Sequence, residues 1–358
     1  MLIKNWERIK EYYEAWWNGE VLDRVPLMVT APRGNSQDKK VIPGTVEDRL
    51  NKEKNIDYAE KQIQNTFYGG VAFPQYWPNL GTDVFSAYMG AILKFSPLGS
   101  SSPASWVEWN KPVLKEYPDL SMLQIQEDNF YWQKTKEFIS YALARSQGEY
   151  LVGITDLHGG MDALTALRGG PQQLCIDLVD NPDGVKKAMK FLWKIWHRVY
   201  EESYRIIAKG QEGTSSWINL WSPGRNYPVQ NDFTCLISSS MYKEFFLEEI
   251  MNEINYLDYS IYHLDGPDAL KHLDLLLEIP SLNAIQWVAG SGLKKEGVAK
   301  WIPIYRKIQA KKKSIIVYPR PEEVNFVLEN LAPGGLLIAS YCSSEKEAKE
   351  LLARKGWR

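Results

Sequence analysis

The chain has 358 residues, 44% of them hydrophobic and 24% charged, with a formal net charge of −2 at pH 7. Such a composition supports a large buried core and leaves no basic surface for nucleic acid or an anionic membrane. Three cysteines far apart in the chain, Cys175, Cys235 and Cys342, argue against a disulfide framework or a zinc ribbon, and no stretch approaches 18 apolar residues.

Taken in chain order, the N-terminal MLIKNWERIKEYYEAWWNGE is amphipathic and charged, unlike a signal peptide, so a reducing, cytoplasmic setting is expected. Apolar β-rich runs follow at VPLMVT (25–30), GGVAFP (69–74), YLVGITD (150–156), SSWINLW (215–221), YSIYHLD (259–265), NAIQWV (283–288), KSIIVYP (313–319) and GGLLIASYC (334–342). Stretches with helical periodicity separate them, as in DGVKKAMKFLWKIWHRVYEESYRIIAKG, whose apolar residues recur at three and four. Near-continuous apolar strands alternating with helices predict parallel strands buried on both faces, and eight of them predict a (β/α)8 TIM barrel in one domain, 1–358. About 50 residues after the second run, including GSSSPASWVEW, read as inserted loops or a small hairpin, a lid or an oligomer contact such as a homodimer would use.

In such barrels the C-terminal strand ends carry the chemistry. The polar residues that end these runs are Thr30, Asp156 with His158, Trp221, His263 with Asp265, Gln286 with Trp287, Tyr318, and Tyr341 with Cys342. Side chains two apart on a strand share a face, so His263 and Asp265 point the same way. They are metal ligands, an acid–base pair, or a hydrogen-bonded pair without metal. Asp156 and His158, followed by two glycines, are placed at the pocket, and Asp162 on a helix surface. Tyr76, Trp217, Trp221, Tyr227, Gln286 and Tyr318 are candidate substrate contacts, with Asp232 in the same long loop as Trp217 to Tyr227. Arg33 reads equally as a carboxylate clamp or a surface residue, and Trp287 as a pocket wall or a filler between strand and helix. No GxGxxG opens a helix after a strand, and GSGLKKEG lacks P-loop spacing, which disfavours a dinucleotide or a P-loop enzyme. With 14 Trp and 20 Tyr, an aromatic-lined pocket is expected beside ordinary core packing.

Through RVPLMV, FPQYWPNLG, ITDLHGGMDALTALRGG, DFTCLISSSMYKEFF, YHLDG and GGLLIASYC, the chain resembles the uroporphyrinogen decarboxylase superfamily, which includes zinc-dependent corrinoid methyltransferases. The resemblance runs over nearly the whole length. Tetrapyrrole decarboxylation is disfavoured because Gly69 stands where those decarboxylases have an aspartate, Leu167 where a tyrosine is expected, and only Arg33 is available for substrate carboxylates. The methyltransferase branch implies zinc on a His-x-Cys pair and a later cysteine. Here His263, Asp265 and Cys342 hold those places, with an aspartate for the first cysteine. The resemblance therefore implies a zinc methyltransferase that demethylates a small methoxy or N-methyl compound, the methyl passing to cobalamin on a separate corrinoid protein. Two alternatives stay open: a metal-free decarboxylase or lyase using His263 and Asp265, and a non-catalytic ligand-binding barrel.

Overall fold

The computed structural model describes residues 5–33, 45–96, 105–117, 119–290 and 296–357. Residues 99–104 of the inserted segment and 291–295 of GSGLKKEG lie outside the described residues.

Among the described residues eleven strands form: β1 (Leu27–Pro32), β2 (Thr66–Gly70), β3 (Gln75–Tyr76), β4 (Leu93–Phe95), β5 (Ser105–Val107), β6 (Leu151–Val152), β7 (Asn226–Gln230), β8 (Tyr259–Asp265), β9 (Ala284–Val288), β10 (Ser314–Val317) and β11 (Leu336–Tyr341). Seven of them make one sheet, in the order β2-β1-β11-β10-β9-β8-β7, parallel throughout except for β2 against β1. A second pair, β3 and β6, is also parallel. The inserted segment contributes the antiparallel pair β4 and β5. The chain is thus mixed α/β, and among the described residues no helix is long and apolar enough to cross a membrane.

Two expected strands shift. GGVAFP is not one strand: β2 ends at Gly70, whose positive φ of 65° turns the chain, and a Cβ there would lie 1.9 Å from the Leu27 carbonyl oxygen. SSWINLW forms no strand, and the parallel position beside β8 is taken by NYPVQ, part of the long loop expected after that run. Asn, Pro and Gln are poor strand formers, so periodicity could not flag this segment; pairing with β8 overrides the local preference.

Alternation along the strands sorts the side chains into two layers. Tyr262, Leu264, Ile285, Trp287, Ile315, Val317, Leu336 and Ile338 belong to the large core on the helix side of the sheet. Met28, Ile261, Ala284, Ile316, Leu337 and Ala339 face the other way, into a core shared with the first helix, Trp6–Trp17. That helix places Trp6, Ile9, Tyr13, Trp16 and Trp17 at helical spacing and buries all of them. The Trp16 Nε1–H donates to the Ile315 carbonyl at 3.1 Å, the Ser314 hydroxyl donates to the Trp16 carbonyl at 2.6 Å, and Gly335 N–H reaches Glu20 O. These contacts fall at the starts of β10 and β11, so the helix caps the N-terminal ends of the strands. At about 25 cal/mol per Å² and ~200 Å² per indole, each buried Trp is worth about 5 kcal/mol in gross transfer energy. Much of the aromatic surplus is therefore structural. The candidate functional groups collect at the opposite, C-terminal ends.

Candidate functional site at the C-terminal strand ends

The face that carries Ile261 at the bottom of β8 carries His263 and Asp265 two and four residues later. The same parity puts Gln286 above Ala284 on β9 and Tyr318 above Ile316 beyond β10. Register pairs Gln230 with His263 and His263 with Gln286, so the ends of β7, β8 and β9 lie side by side. Two residues past Gln230, Asp232 opens the 3-10 turn Asp232–Leu236. Gly266, at φ 78°, lets the chain leave β8 directly after Asp265.

Among the described residues, one group of at least three His, Cys, Asp or Glu side chains brings its donor atoms together: Asp232, His263 and Asp265, all within 4.8 Å of one another. Asp265 Oδ1 is buried without a hydrogen-bond partner, which points to a ligand. His263 is oriented from behind. The Gln286 amide Nε2–H donates to the Tyr318 hydroxyl, which turns Gln286 Oε1 toward His263 Nδ1 at 2.7 Å. Nδ1 must then carry the proton, and the Nε2 lone pair is left free, as in a metal-binding imidazole. The Trp217 ring packs edge-on against His263 with centroids 4.9 Å apart.

Asp232 is fixed by Asp162. The Asp162 carboxylate accepts the backbone N–H groups of Asp232 at 2.9 Å and of Phe233 at 3.0 Å. Asp162, expected on a helix surface, is instead the anchor of this turn, and burial, then the Asp232 charge, push its carboxyl up to about 8. Asp232 itself touches solvent, yet the walls around it exclude enough water to raise its carboxyl, with His263 acting to lower it and Asp265 to raise it.

Asp156 and His158 complete the mouth. Asp156 is buried, one oxygen has no hydrogen-bond partner, and burial followed by Asp83 and Asp232 holds its carboxyl well above the usual range. His158 Nε2 lies 3.6 Å from Asp156 Oδ1, and burial followed by the nearby His263 lowers its imidazole to about 3. The main influences on Asp156, Asp162 and Asp232 include other acids but no Lys or Arg. A divalent cation would supply the missing positive charge.

Several expected site residues lie elsewhere. Cys342 is on the helix-side parity of β11, fully buried, beside the helix Glu345–Arg354; burial pushes its thiol up to about 11, and it does not join the triad. Its neighbour Tyr341, of the opposite strand parity, is exposed. Trp287 faces the helix layer and packs on Trp301 at 5.1 Å. Trp221 sits at the capped end, accepting Trp17 Nε1–H on its carbonyl at 2.9 Å and contacting Trp6. Tyr227 is a strut, its hydroxyl accepting Leu157 N–H at 2.6 Å and supporting the Asp156 turn. Tyr76 lines a different cavity, and Arg33 lies on the outer edge, 4.0 Å from Glu345. His263, Asp265, Asp156, His158, Trp217, Gln286 and Tyr318 are brought together as expected. Asp232 joins them as the third member of the group that could hold a metal ion.

If Gln286 sets the His263 tautomer, Gln286→Leu should weaken divalent-ion affinity by about 10- to 100-fold while leaving the Tm within a few degrees. Titration against a chelating dye reads this, and unchanged affinity would remove Gln286 from the site.

No family model matches this chain, and no curated protein is significantly similar to it.

Proposed function

We propose that the chain is a metal-dependent (β/α)8-barrel enzyme that acts on a small molecule at the mouth formed by β7, β8 and β9. The observation that carries this reading is the Asp232, His263 and Asp265 triad with its unpartnered Asp265 oxygen. Barrel closure is supported by hydrogen bonds at the gaps beside β1 and β7: Val71 N–H to Leu27 O, and Ile154 N–H to Ser215 O with the Asn226 amide reaching Thr214 O, while Leu151 N–H to Pro74 O extends the β3–β6 pair. The ring would run β1, β3, β6, β7, β8, β9, β10, β11.

Zinc accepts carboxylate oxygen and imidazole nitrogen at about 2.0–2.2 Å, so the triad is a competent three-ligand set with room for substrate. The thiolate-containing set that the resemblance implies does not fit, because Cys342 faces the helices. Without thiolate the ion is a harder Lewis acid, suited to polarising an oxygen or nitrogen leaving atom. We assign the chemistry to demethylation of a small methoxy or N-methyl compound. The methyl acceptor is the corrinoid of a separate protein, as the resemblance suggests. In this chain His263 and Asp265 hold the metal, Asp232 completes the set, Trp217 walls the pocket, and Asp156 returns a proton to the departing heteroatom. A metal-free decarboxylase or lyase is the second reading, favoured by the raised Asp156 carboxyl beside His158.

Metal analysis of protein purified without chelator separates them. About one equivalent of divalent metal is expected in the wild type and in Cys342→Ser, and little in Asp232→Ala. Metal-free wild-type protein that takes up no zinc, manganese or iron(II) would refute the metal reading. Loss of metal in Cys342→Ser alone would restore the thiolate set.

A further inference from the structure

Away from the mouth, a cavity of about 290 Å³ opens between the helices Val46–Leu50 and Lys52–Gln64 and the β3 segment. Arg49 stands in its wall and is only 6% exposed. Its Nη1–H has a long contact to Ser96 Oγ at 3.4 Å, while Nε and Nη2 are sealed from solvent with no hydrogen-bond partner. Burial lowers its pKa, and among the described residues no acid offsets it. Burying a guanidinium without an anion is costly, so a site that keeps one there is built for an anion that arrives.

The unmet groups identify the anion. Elsewhere in this protein the same Nε and Nη2 edge binds a carboxylate in bidentate fashion. Arg168 holds Asp177 through Nε and Nη2 at 2.5 and 2.8 Å, and Arg145 holds Glu60 through Nε and Nη2 at 3.0 and 2.5 Å. Arg49 has that edge without its carboxylate. Its backbone is fixed, because the Asn55 side-chain N–H donates to the Arg49 carbonyl at 3.0 Å and the Tyr76 hydroxyl donates to Asn55 Oδ1 at 2.9 Å. Tyr58, Tyr76, Trp77 and Phe95 supply aromatic walls, and Gln75 Oε1 and Trp77 Nε1 are also buried and unpartnered.

We propose that this cavity is a binding site for a small aromatic carboxylate, the Arg49 guanidinium turning its now-sealed Nε and Nη2 edge onto the carboxylate as the ring enters among Tyr58, Trp77 and Phe95. The site is separate from the triad, and the proposal stands independently of the metal reading.

Thermal unfolding of the full chain with benzoate, its neutral isostere benzamide, and inorganic phosphate tests it. Benzoate should raise the Tm saturably and benzamide should not. Arg49→Gln and Arg49→Lys should each lower benzoate affinity by about 10- to 100-fold, because neither offers the planar two-donor edge. Arg49→Met, which relieves the unpaired charge, should have a Tm equal to or above wild type and no benzoate response. An absent benzoate shift, an equal shift with benzamide, or an unchanged shift in folded Arg49→Gln would overturn the site. A response to phosphate but not benzoate would overturn the carboxylate assignment.

Discussion

Replacing His263 with alanine is expected to weaken divalent-ion binding by about 10²- to 10³-fold and to abolish turnover at ordinary metal concentrations. Apparent binding energies of about 10–16 kcal/mol for four-ligand zinc sites imply roughly 3–4 kcal/mol per ligand, which gives this range. Asp265→Asn should lose a similar amount, since the amide keeps the shape but removes the charge that the ion needs. The measurement is competition with a chelating dye on purified variants, followed by turnover with methoxy and N-methyl substrates and a reduced corrinoid acceptor. Retention of full metal affinity in His263→Ala would remove His263 from the site. Full metal loss with retained turnover would mean that the methyl transfer does not need the metal.

Asp265→Cys asks what an aspartate does at this place. A thiolate there should shift preference toward zinc and away from manganese, because soft donors favour zinc. His263 and Asp265 are carried by strand parity, and this is why two of the three members of the triad were legible in the sequence. YHLDG announces two same-facing polar groups at a strand end, and alternation alone puts them beside Gln286 and Tyr318. The third ligand was not legible, because its strand, NYPVQ, has weak β propensity and depends on tertiary pairing with β8. Cys342 shows the reverse failure. It lies one residue past β11, and one residue of parity decides between the two layers: Cys342 is buried on the helix side, while the neighbouring Tyr341 is exposed. Trp221 failed for a different reason: the segment around it was taken for a strand ending at the mouth, whereas it folds back against the first helix. Arg49 carried no motif at all. Its interest lies in what it lacks, and an unpaired edge is visible only once the fold has brought carboxylates to Arg145 and Arg168 and none to Arg49.

Behind the Asp156–His158 turn, the fold should make stability fall as pH rises. Glu249 and Glu253, one turn apart on the helix Leu247–Tyr256, are 4% and 3% exposed. They pack directly on the turn. A Cβ at Gly159 would lie 2.8 Å from Glu253 Oε1, and one at Gly160 would lie 2.6 Å from Glu249 Oε2, so the two glycines are required for the contact. Apart from the neighbouring Glu253 carboxyl, the Glu249 oxygens have no hydrogen-bond partner among the described residues. Burial pushes the Glu249 carboxyl up to about 7, and burial together with Glu249 raises Glu253 further. An acid raised in the folded state holds its proton folded and releases it unfolded, so between the two values the native state binds more protons and stability declines with pH. The stability associated with Glu249 is present below about 4.5, the usual glutamate value, and is lost as pH rises through about 7. The size is about 3 kcal/mol for Glu249, from 1.36 kcal/mol per pH unit. Glu249→Gln and Glu253→Gln keep the shape and remove the ionisation. The double variant should be more stable than wild type at pH 8, nearly equal at pH 5, and flatter between them in urea midpoints. A wild type that is as stable at pH 8 as at pH 5 would mean that the pair is solvated or satisfied. A double variant that loses stability at pH 8 would mean that the charged form is the one the turn requires.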